Sequence, residues 1–297
     1  MNMMFLAASR KPGNAARLRP ILFFRCLLFA VQTILTTQGA IAASDKELQP
    51  VRQSSILSEG LGAVGLVTSD RGLAQSMATG FLISPCHVLT AAHALADVGE
   101  HVEIGKAVRF IPEGSKHEFF AEHTVRGRVV AASKDFVMTV LPNHFDSRFA
   151  SQDWSLIELE HSLPGVEPIK LLYPGAKLSG SALLSVVGYP SGGSGHILHT
   201  QEHCLNWQML HGAMELPGAI IADCAVRPGM SGGPMLIEGS RAPVAAGIVV
   251  ERFEVGTKIM TVGVPTHAFA DQISRAMRSS MVCAVGSPFA VPLTPGD

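Results

Sequence analysis

The 297-residue sequence predicts an all-β protein that is exported and carries disulfides. Three observations predict it. From about Leu61 onward, short apolar runs are split by Gly, Pro, Ser and Asp, and runs of that length between turn residues read as strands of a sandwich or barrel. Helix signals are few. The N-terminus has the basic, apolar and small-residue order of a secretory signal.

Residues 1–42 are expected to be that signal. Arg10, Lys11, Arg17 and Arg19 form a basic region, with Arg25 at its inner edge. Cys26 to Leu35 is mostly apolar, and Ala40-Ile41-Ala42 supplies an A-x-A cleavage site before Ala43. The apolar run is shorter than the roughly 20 residues of a bilayer span, so no stable membrane insertion is expected after signal removal. Residues 43–60 read as a lead segment.

Strands are expected at Ala63–Val67, Gly80–Ile83, Ala107–Ile111 and Gly127–Ala131, then at Ala182–Val187, Ala219–Ala222, Pro243–Val250 and Met260–Val264. Leu163-Pro164-Gly165 to Pro174-Gly175 is the expected connection between two halves, 61–165 and 166–265. Thr266 is placed to cap a helix running to about Met277, inside a helical segment 266–282, with Phe269, Ile273, Ala276 and Met277 on one face. The Pro-rich tail, 283–297, is expected to be loosely held.

A hydrophobic fraction of 47% is ample for a large core. A net charge of −1 leaves no electrostatic footprint for nucleic acid. Outside the signal the cysteines are Cys86, Cys204, Cys224 and Cys283, an even number that suggests disulfides in an exported chain but allows three pairings. Cys204 with Cys224, which closes a short loop, is favoured; Cys86 with Cys283 follows by elimination.

Three segments carry chemistry. In Gly229-Met-Ser-Gly-Gly-Pro234, glycines around Ser231 let the backbone turn tightly, so that the Gly229 and Ser231 amides can face one point and stabilise an oxyanion. In Thr90-Ala-Ala-His93, small residues after an apolar strand lead into a histidine, the commonest general base near neutral pH. In Asp153-Trp-Ser-Leu-Ile-Glu-Leu159, an acid heads an apolar strand, where it can accept the other ring proton of a histidine. Asp135 and Asp146 compete for that role, but neither begins a clean strand.

The order His93, Asp153, Ser231 in these settings resembles the trypsin/chymotrypsin-like serine proteases, and more closely their bacterial secreted, glutamyl-endopeptidase-like members. The resemblance runs from about Leu61 to Met277. It implies two six-stranded antiparallel β-barrels, a C-terminal helix, and a Ser-His-Asp triad in the cleft between barrels, with peptide or protein substrates, no cofactor and a monomeric chain. It also implies an oxyanion hole from Gly229 and Ser231, a primary pocket floored near Ala225, a substrate-pairing strand at Val250, Glu251 and Arg252, and a pocket wall at Gly263. Two positions depart from the family. Met230 stands where many members carry the aspartate that pairs with a new N-terminus, so activity is expected without that pairing. Ala225 removes a pocket-floor aspartate, so a Lys or Arg preference by that route is not expected.

Three other readings compete. Gly229-Met-Ser-Gly-Gly233 satisfies G-x-S-x-G, the nucleophile elbow of esterases, but that fold needs a strand–turn–helix setting and an acid and histidine after the serine. His196, His199, His203 and Cys204 lie close together, yet match no standard zinc pattern, so no metal is expected. A catalytically silent protease-like binding module would share the fold.

Overall fold

The computed structural model describes residues 48–52, 60–71, 74–113, 124–138, 151–179, 182–191, 197–206, 218–280, 282–283 and 288–290. The expected signal peptide, Asp146 and His196 lie outside these residues, as does most of the lead segment. What is described of that lead is not a bare linker: β1 (Gln49–Pro50) pairs with a strand of the second half.

The first half is a closed barrel. Its strands are β2 (Val64–Arg71), β3 (Ala74–Ser84), β4 (His87–Thr90), β5 (Ala107–Pro112), β6 (Val125–Ala132) and β7 (Ser155–Leu159). They pair antiparallel around the ring in the order β2-β3-β4-β7-β6-β5. In β5, Val108 and Phe110 point inward while Ala107 and Arg109 are exposed, the period-2 pattern of a wall with one wet face. β4 and β7 pair with each other and are buried along their whole length.

The second half is a sheet of eight strands. β8 (Lys170–Leu171), within the connecting segment, runs parallel to β13 (Val244–Val255). β9 (Leu183–Gly188), β10 (His199–Leu205), β11 (Ile220–Ala222), β12 (Pro234–Ile237) and β14 (Lys258–Pro265) complete it together with β1. The two ends of the antiparallel path β10-β9-β12-β13-β14-β11 meet, among the described residues, at an isolated bridge between Asn206 and Ala222.

The helix is shorter than the sequence suggests, and Thr266 does not cap it. Residues Thr266–Ala268 form a 3-10 turn and α1 spans Ala270–Arg278. The Thr266 hydroxyl donates instead to the carbonyl of Leu172, 3.0 Å away, where it satisfies the connecting segment. Phe269, Ile273 and Met277 are buried, with Ala276 packed beside them. The Phe269 ring lies 5.8 Å from that of Trp154, so the helix start packs against the residue next to Asp153. Truncating either ring would cost about 3–5 kcal/mol.

The tail is not wholly loose. Leu171 donates to Pro288 O at 2.9 Å and accepts from Ala290 N at 2.8 Å, so Pro288 to Ala290 extend the edge beside β8. The bonds satisfy main-chain groups that a two-residue strand would otherwise leave open. Cys86 is joined to Cys283 with Cα atoms 6.3 Å apart, and Cys204 to Cys224 at 5.3 Å.

Candidate active site

His93 sits in the 3-10 turn Ala92–Ala94, immediately after β4. Ala91 and Ala92 are fully buried, so the chain leaves the barrel wall against packed backbone with no large side chain to displace it. Asp153 precedes β7, the neighbour of β4, so the Thr90–Ser155 pairing sets the two residues side by side. One carboxylate oxygen of Asp153 accepts the backbone N–H of His93 at 2.8 Å; the other lies 2.6 Å from His93 Nδ1. The imidazole is 27% exposed and the carboxylate 10%. The acid is shielded while the ring keeps an open edge. Asp135 lies at an exposed bend after β6, and it is Asp153 that meets the ring.

Ser231 lies in the turn that leads into β12. Val249 of β13 brackets this turn by accepting from Gly232 N at 2.7 Å and donating to Gly233 O at 2.8 Å. Gly232 has φ +85°, and a Cβ there would stand 2.2 Å from Thr79 O and 2.8 Å from Ala91 N. The turn bearing Ser231 is therefore pressed against the stretch of chain two residues ahead of His93. Only a glycine allows that approach.

The turn also presents amides. Met230 N donates to Arg227 O, Gly232 N to Val249 O and Gly233 N to Met230 O. Among the described residues, the amides of Gly229 and Ser231 donate to nothing. Gly229 has φ +91°, a conformation glycine reaches without strain. Met230 is fully buried in the second core with Val226, Met235 and Val249, where a methionine needs no ionic partner.

The remaining expected site residues lie in the second sheet. Val250, Glu251 and Arg252 are on β13, and Gly263 is on β14 opposite Val249. The register shifts between Val249 and Glu251, which leaves Val250 as the extra residue of a bulge. Ala225 follows β11, is half-buried, and donates its amide to the side-chain oxygen of the buried Gln201. Burial pushes the Glu251 carboxyl above its ordinary range; His93 pulls it back and Asp153 adds to the rise. Glu251 thus lies within electrostatic reach of the His–Asp pair. His203 pairs with Glu238 at 2.8 Å, and Cys204 is in a disulfide.

Against this geometry the comparisons are decisive for the family. The family model for the trypsin-like peptidase domain matches residues 78–242. The chain belongs to the trypsin-like peptidase family, whose members are serine endopeptidases. No curated protein matches this trypsin-like peptidase. Its fold is similar to that of a thermostable serine protease, AL20, from an extremophilic microorganism, at 16% identity and a TM-score of 0.52, covering 71% of this chain and 94% of that one. It is similar to a Glu endopeptidase in complex with MPD, at 16% identity and a TM-score of 0.54, covering 78% and 97%. A serine endoprotease from Yersinia pestis gives 13% identity and a TM-score of 0.53, covering 78% and 68%. At these identities the likeness is one of fold.

Sequence reading passes over two buried polar groups, one at the serine turn and one at the far end of β4. Thr79 is a buried polar residue just before the apolar run Gly80–Ile83, and that contrast is the available signal. The second is at the start of β4: His87, fully buried, bonds Ser84 through Nδ1 at 2.7 Å and stands opposite Glu158 in the β4–β7 register. Burial holds the His87 imidazole below its ordinary range, with Glu158 opposing. Nothing in the spacing of Ser84, His87 and Glu158 marks them from sequence.

Proposed function

We propose that this peptidase is an exported enzyme that cleaves peptide bonds through a Ser231 acyl-enzyme, with His93 as base and Asp153 as the group that orients it. The observation that carries this reading is the pair of hydrogen bonds from His93 to Asp153, beside a serine turn with two amides that donate to no described residue. Ser231 Oγ attacks the scissile carbonyl carbon and His93 Nε2 takes its proton. The carbonyl oxygen becomes an oxyanion held by the Gly229 and Ser231 amides. Collapse breaks the C–N bond, and the leaving amine takes the proton from His93. Water then repeats the sequence on the ester and frees Ser231.

Export follows from the signal-like N-terminus and from disulfides, which persist in oxidising compartments. On this reading activity needs no ion pair to a newly cut N-terminus, because Met230 offers no acidic partner for one. Ala225 at the proposed pocket floor offers no charge for a basic side chain, and the β13 backbone at Val250–Arg252 is the proposed ledge for extended substrate.

The test is an active-site label. A fluorophosphonate should modify Ser231 in the purified wild type, and Ser231→Ala should abolish labelling with an unchanged circular dichroism spectrum. Its kcat should fall by the order of 10⁶ seen on removing the nucleophile of another serine protease. A folded wild type that neither labels nor turns over peptides would instead be a silent binding module, and the proposal would fail.

A further inference from the structure

Thr79, on β3 of the first barrel, directs both its amide and its hydroxyl at the serine turn of the second. Its amide donates to Ser231 O at 2.9 Å. Its hydroxyl donates to Gly229 O at 2.8 Å and accepts from Tyr189 N at 2.9 Å. Its carbonyl accepts from Thr90 Oγ1 at 2.8 Å, which anchors it to the strand leading to His93. The residue is completely buried. Glycines crowd it on three sides: a Cβ on Gly188 would lie 3.0 Å from its hydroxyl, one on Gly233 3.3 Å from its methyl, and one on Gly232 2.2 Å from its carbonyl.

These contacts complete a set. A trans peptide points its N–H opposite to its C=O, so fixing a carbonyl aims the next amide. Pro228 O is held by Ser191 N at 2.6 Å, which turns the Gly229 N–H away from Ser191. Met230 O is held by Gly233 N at 3.0 Å, which aims the Ser231 N–H. The peptides on either side are fixed through Gly229 O and Ser231 O, and Thr79 holds both. Its bond to Tyr189 N also steadies the segment that supplies Ser191.

We infer that Thr79 is a positioning residue that holds the Gly229 and Ser231 amides in their donating orientation, in a chain whose Met230 offers no ion pair to do so. The inference rests on the reading of Ser231 as nucleophile. Thr79 touches no reacting atom; it acts through the turn.

The test compares Thr79→Val, which keeps shape and loses the hydroxyl, with Thr79→Ser, which keeps the hydroxyl. Thr79→Val should lower kcat at least about tenfold, toward the 10²–10³ that loss of one oxyanion donor costs elsewhere. KM should stay within about twofold, because ground-state contacts are untouched. Affinity for a peptidyl trifluoromethyl ketone, whose adduct carries an oxyanion, should fall in parallel with kcat. The pH midpoint of kcat/KM should not move, since His93 and Asp153 are undisturbed. Thr79→Ser should recover most of the loss. Wild-type kcat and ketone affinity in Thr79→Val, or equal losses in Val and Ser, would overturn the inference. Thr79→Ala carries the same expectation as Val if Val does not fold. If neither folds, Thr79→Ser decides alone: a folded Ser variant with kcat down tenfold or more refutes the hydroxyl's role. A wild type that fails to take the fluorophosphonate label would sink the nucleophile reading instead, and is scored separately.

Discussion

Replacing Asp153 with Asn probes the proposed base through a feature of its hydrogen bonds. Asp153 accepts two: one from the His93 backbone N–H at 2.8 Å and one from Nδ1 at 2.6 Å. A backbone N–H can only donate, so the single carbonyl oxygen of Asn must stay on it. The NH₂ group then faces Nδ1, which must give up its proton to accept. The ring proton moves to Nε2, the nitrogen that has to receive the Ser231 proton. Both hydrogen bonds survive, the fold survives, and the base is lost. The variant also loses the negative charge that steadies the imidazolium. The same change in another serine protease lowers kcat about 10⁴-fold, or roughly 5.4 kcal/mol at 1.36 kcal/mol per decade. The assay is kcat on a peptide substrate, with melting temperature as the control for folding. A folded Asp153→Asn variant within about tenfold of wild-type kcat would refute the tautomer argument, and with it the pairing of Asp153 to catalysis.

Two further outcomes concern stability. The buried Glu158 carboxylate accepts from Ser280 Oγ at 2.5 Å and Arg128 Nη2 at 3.0 Å. Burial alone would raise its pKa, but those bonds and the His87 and Arg128 charges outweigh it and hold it below the ordinary value. A lowered folded pKa gives stability that is present above the unfolded pKa and lost as pH falls through the folded one. Ser280→Ala should therefore cost about 1–3 kcal/mol at pH 7, and the gap in urea midpoint should narrow on acidification below about pH 4; a constant gap would count against the bond. The two disulfides span 197 and 20 positions, for which chain-entropy arguments give about 5 and about 3 kcal/mol. Removing Cys86–Cys283 should lower the denaturation midpoint more than removing Cys204–Cys224, and the reverse order would reject the loop-length explanation.

Much of the fold is legible in the sequence wherever one side of a strand is wet. β5 and β6 alternate exposed and buried residues and are visible as strands. β10 is not: His-Thr-Gln-Glu-His-Cys-Leu buries only Gln201 and Cys204, its register shifts between them, and His203 takes a φ of +58°. An irregular strand has no fixed period to detect, so its histidines look like a metal cluster. β1, β8 and the stretch Pro288–Ala290 are too short to carry a pattern; their partners are far away in sequence. Thr266 looks like a cap because its type and position fit one, but tertiary contact with Leu172 takes its hydroxyl.

The candidate site divides in the same way. His93, Asp153 and Ser231 can be named because each sits in a local string of residues whose chemistry is legible by itself. The part argued for Thr79 and the setting of Glu251 cannot be read so, because they depend on what faces each residue: a turn more than a hundred residues away for one, the His–Asp pair for the other.

The way the serine turn is held has a consequence for pH. From Ala225 to Gly233 the only ionisable side chain is Arg227, which is exposed. The turn is fixed by neutral hydrogen bonds from Thr79, Ser191, Gly232 and Gly233, and by the apolar burial of Met230. An ion pair in that position would titrate, and the donor geometry would fail as its amine lost a proton in mildly alkaline solution. Here no group in the turn titrates between acid and strong alkali. The proposed oxyanion donors at Gly229 and Ser231 are therefore held by contacts that do not depend on the charge of any group in the turn. On the proposed reading, orientation by carbonyl acceptors does the work that an ion pair to a newly cut N-terminus would otherwise do, and does it without a titrating amine.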